Sequence, residues 1–138
     1  MSAIQIQSPI NLILEVAFNR GNLDAVEELL TPDHFAHNTF GGAPNGPQGL
    51  KCLIAMLLTA FPDLYCTVED EINESDKLAA HWTMRGTHKG MFLGNPPTGR
   101  QVEVQGITFA RVEEGMIVEY WMLIDQFGLF QQLGIIPR

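Results

Sequence analysis

Ile117-Val118-Glu119-Tyr120-Trp121-Met122-Leu123-Ile124-Asp125 is the stretch on which the fold turns. β-Branched and aromatic residues dominate it, and it is too short and too apolar for a surface helix, so it reads as a buried strand. Alternation puts Val118, Tyr120, Met122 and Ile124 on one face and Trp121 and Leu123 on the other. Both faces are apolar. One packs on other elements of the chain, and the second also needs cover, which points to a homodimer through the sheet. The strand ends on Asp125, which alternation places on the side of Trp121 and Leu123. A carboxylate at the apolar end of a strand is costly to bury as an anion, and such a group suits proton transfer near neutral pH. Asp is equally a favoured helix cap, and a helical segment follows directly. Position alone leaves both readings open.

Working outward, the preceding segments also read as strands. Gln101 to Val112 leads into a Glu113-Glu114-Gly115 hairpin turn, where glycine accepts a positive φ. Lys77 to Thr87 and Tyr65 to Asn73 are joined by the turn Glu74-Ser75-Asp76. The punctuated run Gly86 to Arg100 is a long irregular connection, of a length that often serves as a lid or rim. After Asp125, Phe127 to Leu133 forms a short helix stopped by Gly134. The first half is helical. Ile10, Ile13, Val16 and Ala17 make one apolar stripe that Gly21 ends. Asn22 caps a second helix with Leu23, Val26, Leu29 and Leu30 on its apolar face, and Thr31-Pro32 reads as a further cap with proline at the first helical position. Residues 41–49 are a Gly/Pro loop without the Lys-Ser/Thr ending of a phosphate-binding loop. A third helix runs from Pro47 to Ala60 and stops at Phe61-Pro62-Asp63. Helices followed by consecutive strands make an α+β chain, read as a single domain over residues 1–138. An antiparallel meander curving around the helices leaves a concave space for a ligand.

Composition narrows the functional classes. With 8 basic and 16 acidic residues the net charge is −8, which argues against a nucleic-acid partner. No apolar run reaches the roughly 18–20 residues that cross a bilayer, and no signal-type start is present, so a cytoplasmic protein without membrane contact is expected. Cys52 and Cys66 lack metal-type spacing, and His34, His37, His81 and His88 show no His-Glu-x-x-His pattern, so neither metal nor cofactor is expected. No Gly-x-Ser-x-Gly elbow supports a serine nucleophile.

The candidates for chemistry are therefore few. His88 shares parity with Leu78, Trp82 and Met84, a set that looks like pocket lining, although a strand-end histidine is also readily satisfied by backbone. His37 follows Phe35 in the approach to the Gly/Pro loop. Trp121 beside Asp125 would supply an apolar wall with one polar handle.

Several short motifs then combine. They are Phe61-Pro62-Asp63 with Val68-Glu69-Asp70, Arg85-Gly86-Thr87-His88-x-Gly90, Pro96-Pro97-Thr98-Gly99-Arg100, Gly115-x-Ile117-x-Glu119-x-Trp121-x-x-x-Asp125, and Gln132-Leu133-Gly134. In order and spacing the chain resembles the SnoaL-like polyketide cyclase family over about residues 10–137. The resemblance implies a nuclear-transport-factor-two-like cone: helices packed on a strongly curved antiparallel sheet, an internal pocket, and commonly a dimer through the sheet. It implies an intramolecular aldol condensation without cofactor on a small apolar or aromatic carbonyl ligand. Asp125 would be the acid/base, His88 a second catalytic group, and His37, Phe35, Trp82, Met84 and Trp121 the substrate-binding set. Tyr120 departs from the histidine often found before the Trp, and Lys89 and Met91 replace a common Thr and Glu. Another lyase, isomerase or hydrolase on the same cone, or a non-catalytic binding protein, is the alternative.

Overall fold

The computed structural model describes residues 8–38 and 45–135. Residues 41–44 of the expected Gly/Pro loop lie outside that range. Helix α1 (Pro9–Leu12) is capped by Ser8, whose Oγ accepts the Asn11 N–H at 3.1 Å. It continues as a π-helix, Ile13–Asn19. Ile10, Ile13, Leu14, Ala17 and Phe18 are buried along this run, which is the apolar stripe of the sequence. Helix α2 (Ala25–Leu29) buries Ala25 and Val26. Helix α3 (Pro47–Ala60) starts with proline at its first turn and buries Leu50, Leu53, Ile54, Leu57 and Ala60.

Thr31-Pro32 does not open a helix. It lies in strand β1 (Leu30–Ala36), which runs parallel to the strand quoted above. Leu30, His34 and Ala36 are buried while Asp33 and Phe35 are exposed, a strand's alternation that outweighs the capping pattern. Proline is tolerated because β1 is an edge strand, where a missing N–H goes unnoticed.

The other strands are β2 (Tyr65–Glu74), β3 (Lys77–Thr87), β4 (Gln101–Glu113) and β5 (Met116–Ile124). They form the expected antiparallel meander, and β1 makes the five-stranded sheet mixed, in the order β1-β5-β4-β3-β2. Glu114 and Gly115 both take positive φ (51° and 80°), which closes the β4–β5 hairpin in two residues. Register shifts at Val68/Asp70, Arg111/Val112 and Leu30/Phe35 mark irregularities that bend the sheet. Helix α4 (Gln126–Leu133) ends at Gly134 in the left-handed region.

The inner sheet face carries Leu78, Ala80, Trp82, Met84, Val102, Val104, Ala110, Ile117 and Tyr120, all packed with the helices in one core. The outer face keeps Phe35, Ile107, Phe109 and Leu123 exposed. At each sheet edge an asparagine side chain bonds the backbone as a strand would. Asn19 donates from Nδ2 to the Cys66 carbonyl at 2.9 Å and accepts the Cys66 N–H at 2.6 Å on β2. Asn45 does the same to Ala36 on β1, at 3.1 and 2.6 Å.

Candidate active site

Helices and sheet enclose a cavity of about 60 Å³. The helical side contributes Ile13, Phe18, Leu53 and Leu57, and the sheet contributes Cys66, Trp82, Met84, Thr108, Tyr120 and Ile124. The wall is carbon and sulfur almost throughout. Trp82 and Met84 project into it because β3 alternates with the register that buries Leu78 and Ala80. The Trp82 indole crosses to β4, where Nε1–H donates to Thr108 Oγ1 at 2.9 Å. Its ring lies over Gly106, its cross-strand partner, where any Cβ would collide with the indole. Burial pushes both the Cys66 thiol and the Tyr120 phenol up to about 12, so each is neutral at ordinary pH.

Asp125 is exposed rather than buried. Strand β5 ends at Ile124, and the chain turns at Asp125 (φ −73°, ψ 77°) to start α4. Its Oδ1 accepts the Gly128 N–H at 2.9 Å, which is the helix-cap geometry. A Cβ at Gly128 would meet the carboxylate closely, so a larger residue there would have to displace the capping side chain. Among the described residues Oδ2 has no hydrogen-bond partner. Ile124, the preceding residue, lines the cavity.

His88 has the inner-face parity expected of it but does not line the cavity. It lies beyond the end of β3, fully buried against Phe61 and Phe92. Its ring Nδ1 meets Thr98 through both the backbone N–H at 3.2 Å and Oγ1 at 3.0 Å, and its backbone N–H donates to the Arg100 carbonyl at 2.9 Å. Its Nε2 is buried without a hydrogen-bond partner among the described residues. His88 thus holds the 88–100 connection in place.

Phe35, His37 and Trp121 also lie away from the cavity, on the outer face of the sheet. His37 stacks on Trp121 with ring centroids 4.1 Å apart, and Phe35 meets His37 edge-on at 4.8 Å. His37 Nε2 contacts Glu119 Oε2 at 2.7 Å, and Glu119 Oε1 accepts Arg111 Nε–H at 2.7 Å. The Arg111 guanidinium, then His37, holds the Glu119 carboxyl below the usual range. The reason for this placement is parity. From Tyr120 onward the helices pack on the even-numbered face of β5, so Tyr120, Met122 and Ile124 meet the cavity and Trp121 turns outward, while Ile117 reaches it from beyond the irregularity opposite Arg111/Val112. The cavity residues Thr108, Tyr120, Met122 and Ile124 were not among the sequence candidates, because Asp125 and Trp121 sit on the odd-numbered face of β5. Their common parity was the available signal.

Residues 10–133 match the family model for SnoaL-like polyketide cyclase. The chain belongs to the SnoaL-like polyketide cyclase family. It is 29% identical over 120 residues to nogalonic acid methyl ester cyclase of Streptomyces nogalater, covering 86% of this chain and 90% of that protein. It is also 29% identical over 124 residues to an aklanonic acid methyl ester cyclase of Streptomyces peucetius, covering 86% and 83%. Among solved structures, TsrD from Streptomyces laurentii superposes with a TM-score of 0.82 at 27% identity, over 96% of this chain and all of that one. IdmH from Streptomyces antibioticus does so with 0.79 at 34% identity, over 91% and 96%. The helices and curved sheet of this SnoaL-like chain are therefore the family's cone.

Proposed function

We propose that this SnoaL-like chain is a cofactor-free cyclase that closes a ring in a polyketide-like methyl ester by intramolecular aldol condensation, with Asp125 as acid/base. The supporting observation is the enclosed apolar cavity whose β5 wall ends at Ile124, next to Asp125. The curated relatives, cyclases of polyketide acid methyl esters, suggest the substrate class. A carbon flanked by two carbonyls is already acidic, so one carboxylate suffices to take its proton. Asp125 Oδ2 removes that proton, the enolate carbon attacks a second carbonyl of the same molecule, and Asp125 returns the proton to the new alkoxide. The product is an isomer of the substrate. Trp82 and Met84 hold the flat ring system, and confinement of both carbonyls supplies much of the acceleration. At about 60 Å³ the cavity is smaller than the roughly 300–1,000 Å³ of small-molecule sites, so a multi-ring substrate enters by parting the helices from the sheet. A second copy of the chain covers the outer face, making a homodimer.

The test is incubation with aklanonic acid methyl ester, followed by chromatography and mass spectrometry. A new species of unchanged mass, absent with Asp125→Asn, supports the proposal. Unchanged turnover by Asp125→Asn refutes the acid/base role. One observation favours a second reading, a non-catalytic binding protein: the cavity wall holds no carboxylate. That protein would bind the ester and release it unaltered.

A further inference from the structure

Gly106 lies buried in the interior of β4, and its φ is outside the left-handed region. Its backbone conformation does not call for glycine, and glycine weakens the interior of a strand. The reason for it lies across the sheet. Gly106 pairs with Trp82 on β3, and a Cβ added there would overlap the indole at Cε2, Cζ2 and Cη2. The six-membered ring therefore occupies the volume that a side chain at 106 would fill.

Two residues on, Thr108 fixes the pyrrole side of the same ring. Its Oγ1 accepts the Nε1–H at 2.9 Å. The indole has this one donor and no acceptor. Trp82 is only 4% exposed, so without Thr108 the N–H would be left unpaired away from water, which is costly. The ring is thus held at both ends, by the space above Gly106 and by the Thr108 hydroxyl. Lifting it from β4 breaks the bond.

The same position links the indole to the end of the cavity where the chemistry is proposed. On its other side Gly106 pairs with Ile124 of β5, which lines the cavity as Trp82 does. The row Trp82, Gly106, Ile124 crosses three strands and ends one residue short of Asp125, whose N–H donates to the Gln105 carbonyl at 3.0 Å. We propose that Gly106 and Thr108 are positioning residues that determine which ligands the cavity admits, by holding the Trp82 indole down on β4. A methyl group at 106 pushes the ring off the sheet. The ring then moves toward the helices and fills the space a ligand would take. The inference rests on reading the cavity as the substrate site.

The test measures binding of 2-acetonaphthone, a flat aromatic ketone, by titration calorimetry to the full chain and its variants. Far-ultraviolet dichroism checks the fold of each. Gly106→Ala is expected to weaken binding about tenfold, within the cost of overpacking a filled site. In a Trp82→Leu chain, whose side chain lacks the six-membered ring, the same substitution is expected to change affinity less than about twofold, since the coupled partner is gone. There it is also expected to raise the melting temperature, as alanine for glycine in a strand does. Thr108→Val is expected to weaken binding and to diminish the near-ultraviolet dichroism of Trp82, recorded in a Trp121→Phe chain that retains one of the two indoles. Thr108→Ser keeps the hydroxyl and is expected to restore both. An equal loss from Gly106→Ala with and without the indole overturns the inference, as does undiminished binding by Gly106→Ala. If Trp82→Leu does not fold, the Thr108 variants decide: valine and serine chains that bind alike overturn it. An original chain that fails to bind 2-acetonaphthone overturns instead the cavity reading, and this inference with it.

Discussion

Asp125 has two oxygens in different employment. Oδ1 caps α4 through the Gly128 N–H, and Oδ2 has no partner among the described residues. The cap and the proposed chemistry are therefore separable by substitution. Asparagine keeps a capping oxygen, so Asp125→Asn is expected to hold the melting temperature nearly constant while abolishing cyclisation. Alanine removes the cap, and Asp125→Ala is expected to cost about 1 kcal/mol in urea denaturation as well. Cys52 and Cys66 differ at the same scale. Cys52 is exposed, whereas Cys66 is buried and its thiol is pushed up to about 12. Iodoacetamide at pH 8 is expected to alkylate Cys52 alone, read by peptide mass spectrometry, because thiolate is the reactive form. Side-chain parity made Trp82 and Met84 legible in the sequence. The side on which Trp121 lies was not legible, because both faces of β5 are apolar and only the packing of the helices decides which face is inside.

At the scale of elements, Asn19 ties the end of the π-helix to β2 by two bonds to Cys66. Asn19→Ala leaves both backbone groups of a buried residue unpaired, and a loss of roughly 1–3 kcal/mol per unsatisfied group is the expected range in urea denaturation. Asp63 makes the corresponding tie after α3. The Thr87 hydroxyl and then its N–H, both at 2.7 Å, hold the Asp63 carboxyl below its usual range. Glu119 is held low as well, by Arg111 first. Depressed carboxyls stabilise the fold fully above their unfolded pKa and lose that contribution as pH falls through the folded one. The melting temperature is therefore expected to decline below about pH 4, where ordinary carboxyls titrate. Thr87→Val should flatten the part of that decline due to Asp63. The meander and helix α3 were legible because their periodicities are clean and their turns carry Gly or Pro. Strand β1 was not, because Thr31-Pro32 imitates a helix start and the strand's pairing partner lies more than eighty residues away, as in Phe35 with Glu119.

For the whole molecule, the outer sheet face decides assembly. Leu123 is 66% exposed and Ile107 54%, and they are cross-strand neighbours, with Phe109 opposite Trp121 alongside. Apolar area on this scale calls for a partner surface. Analytical ultracentrifugation at micromolar concentration is expected to give a dimer mass, and Leu123→Glu a monomer, since a carboxylate in that contact would be buried unpaired. A monomer mass for the unaltered chain would remove the dimer from the proposal. The sequence already carried this expectation, since β5 is apolar on both faces. The two asparagine ties, Asn19 on β2 and Asn45 on β1, then acquire a consequence for the behaviour of many copies. The free edges of a sheet are where chains stack into fibres, and here each edge is occupied at one point by the chain's own side chain. Strand β2 adds Glu69, Asp70, Glu71 and Glu74, whose charges repel the like edge of a neighbour. With sideways growth opposed at both edges and the apolar outer face left open, the proposed face-to-face association is expected to be self-limiting and to end at the dimer.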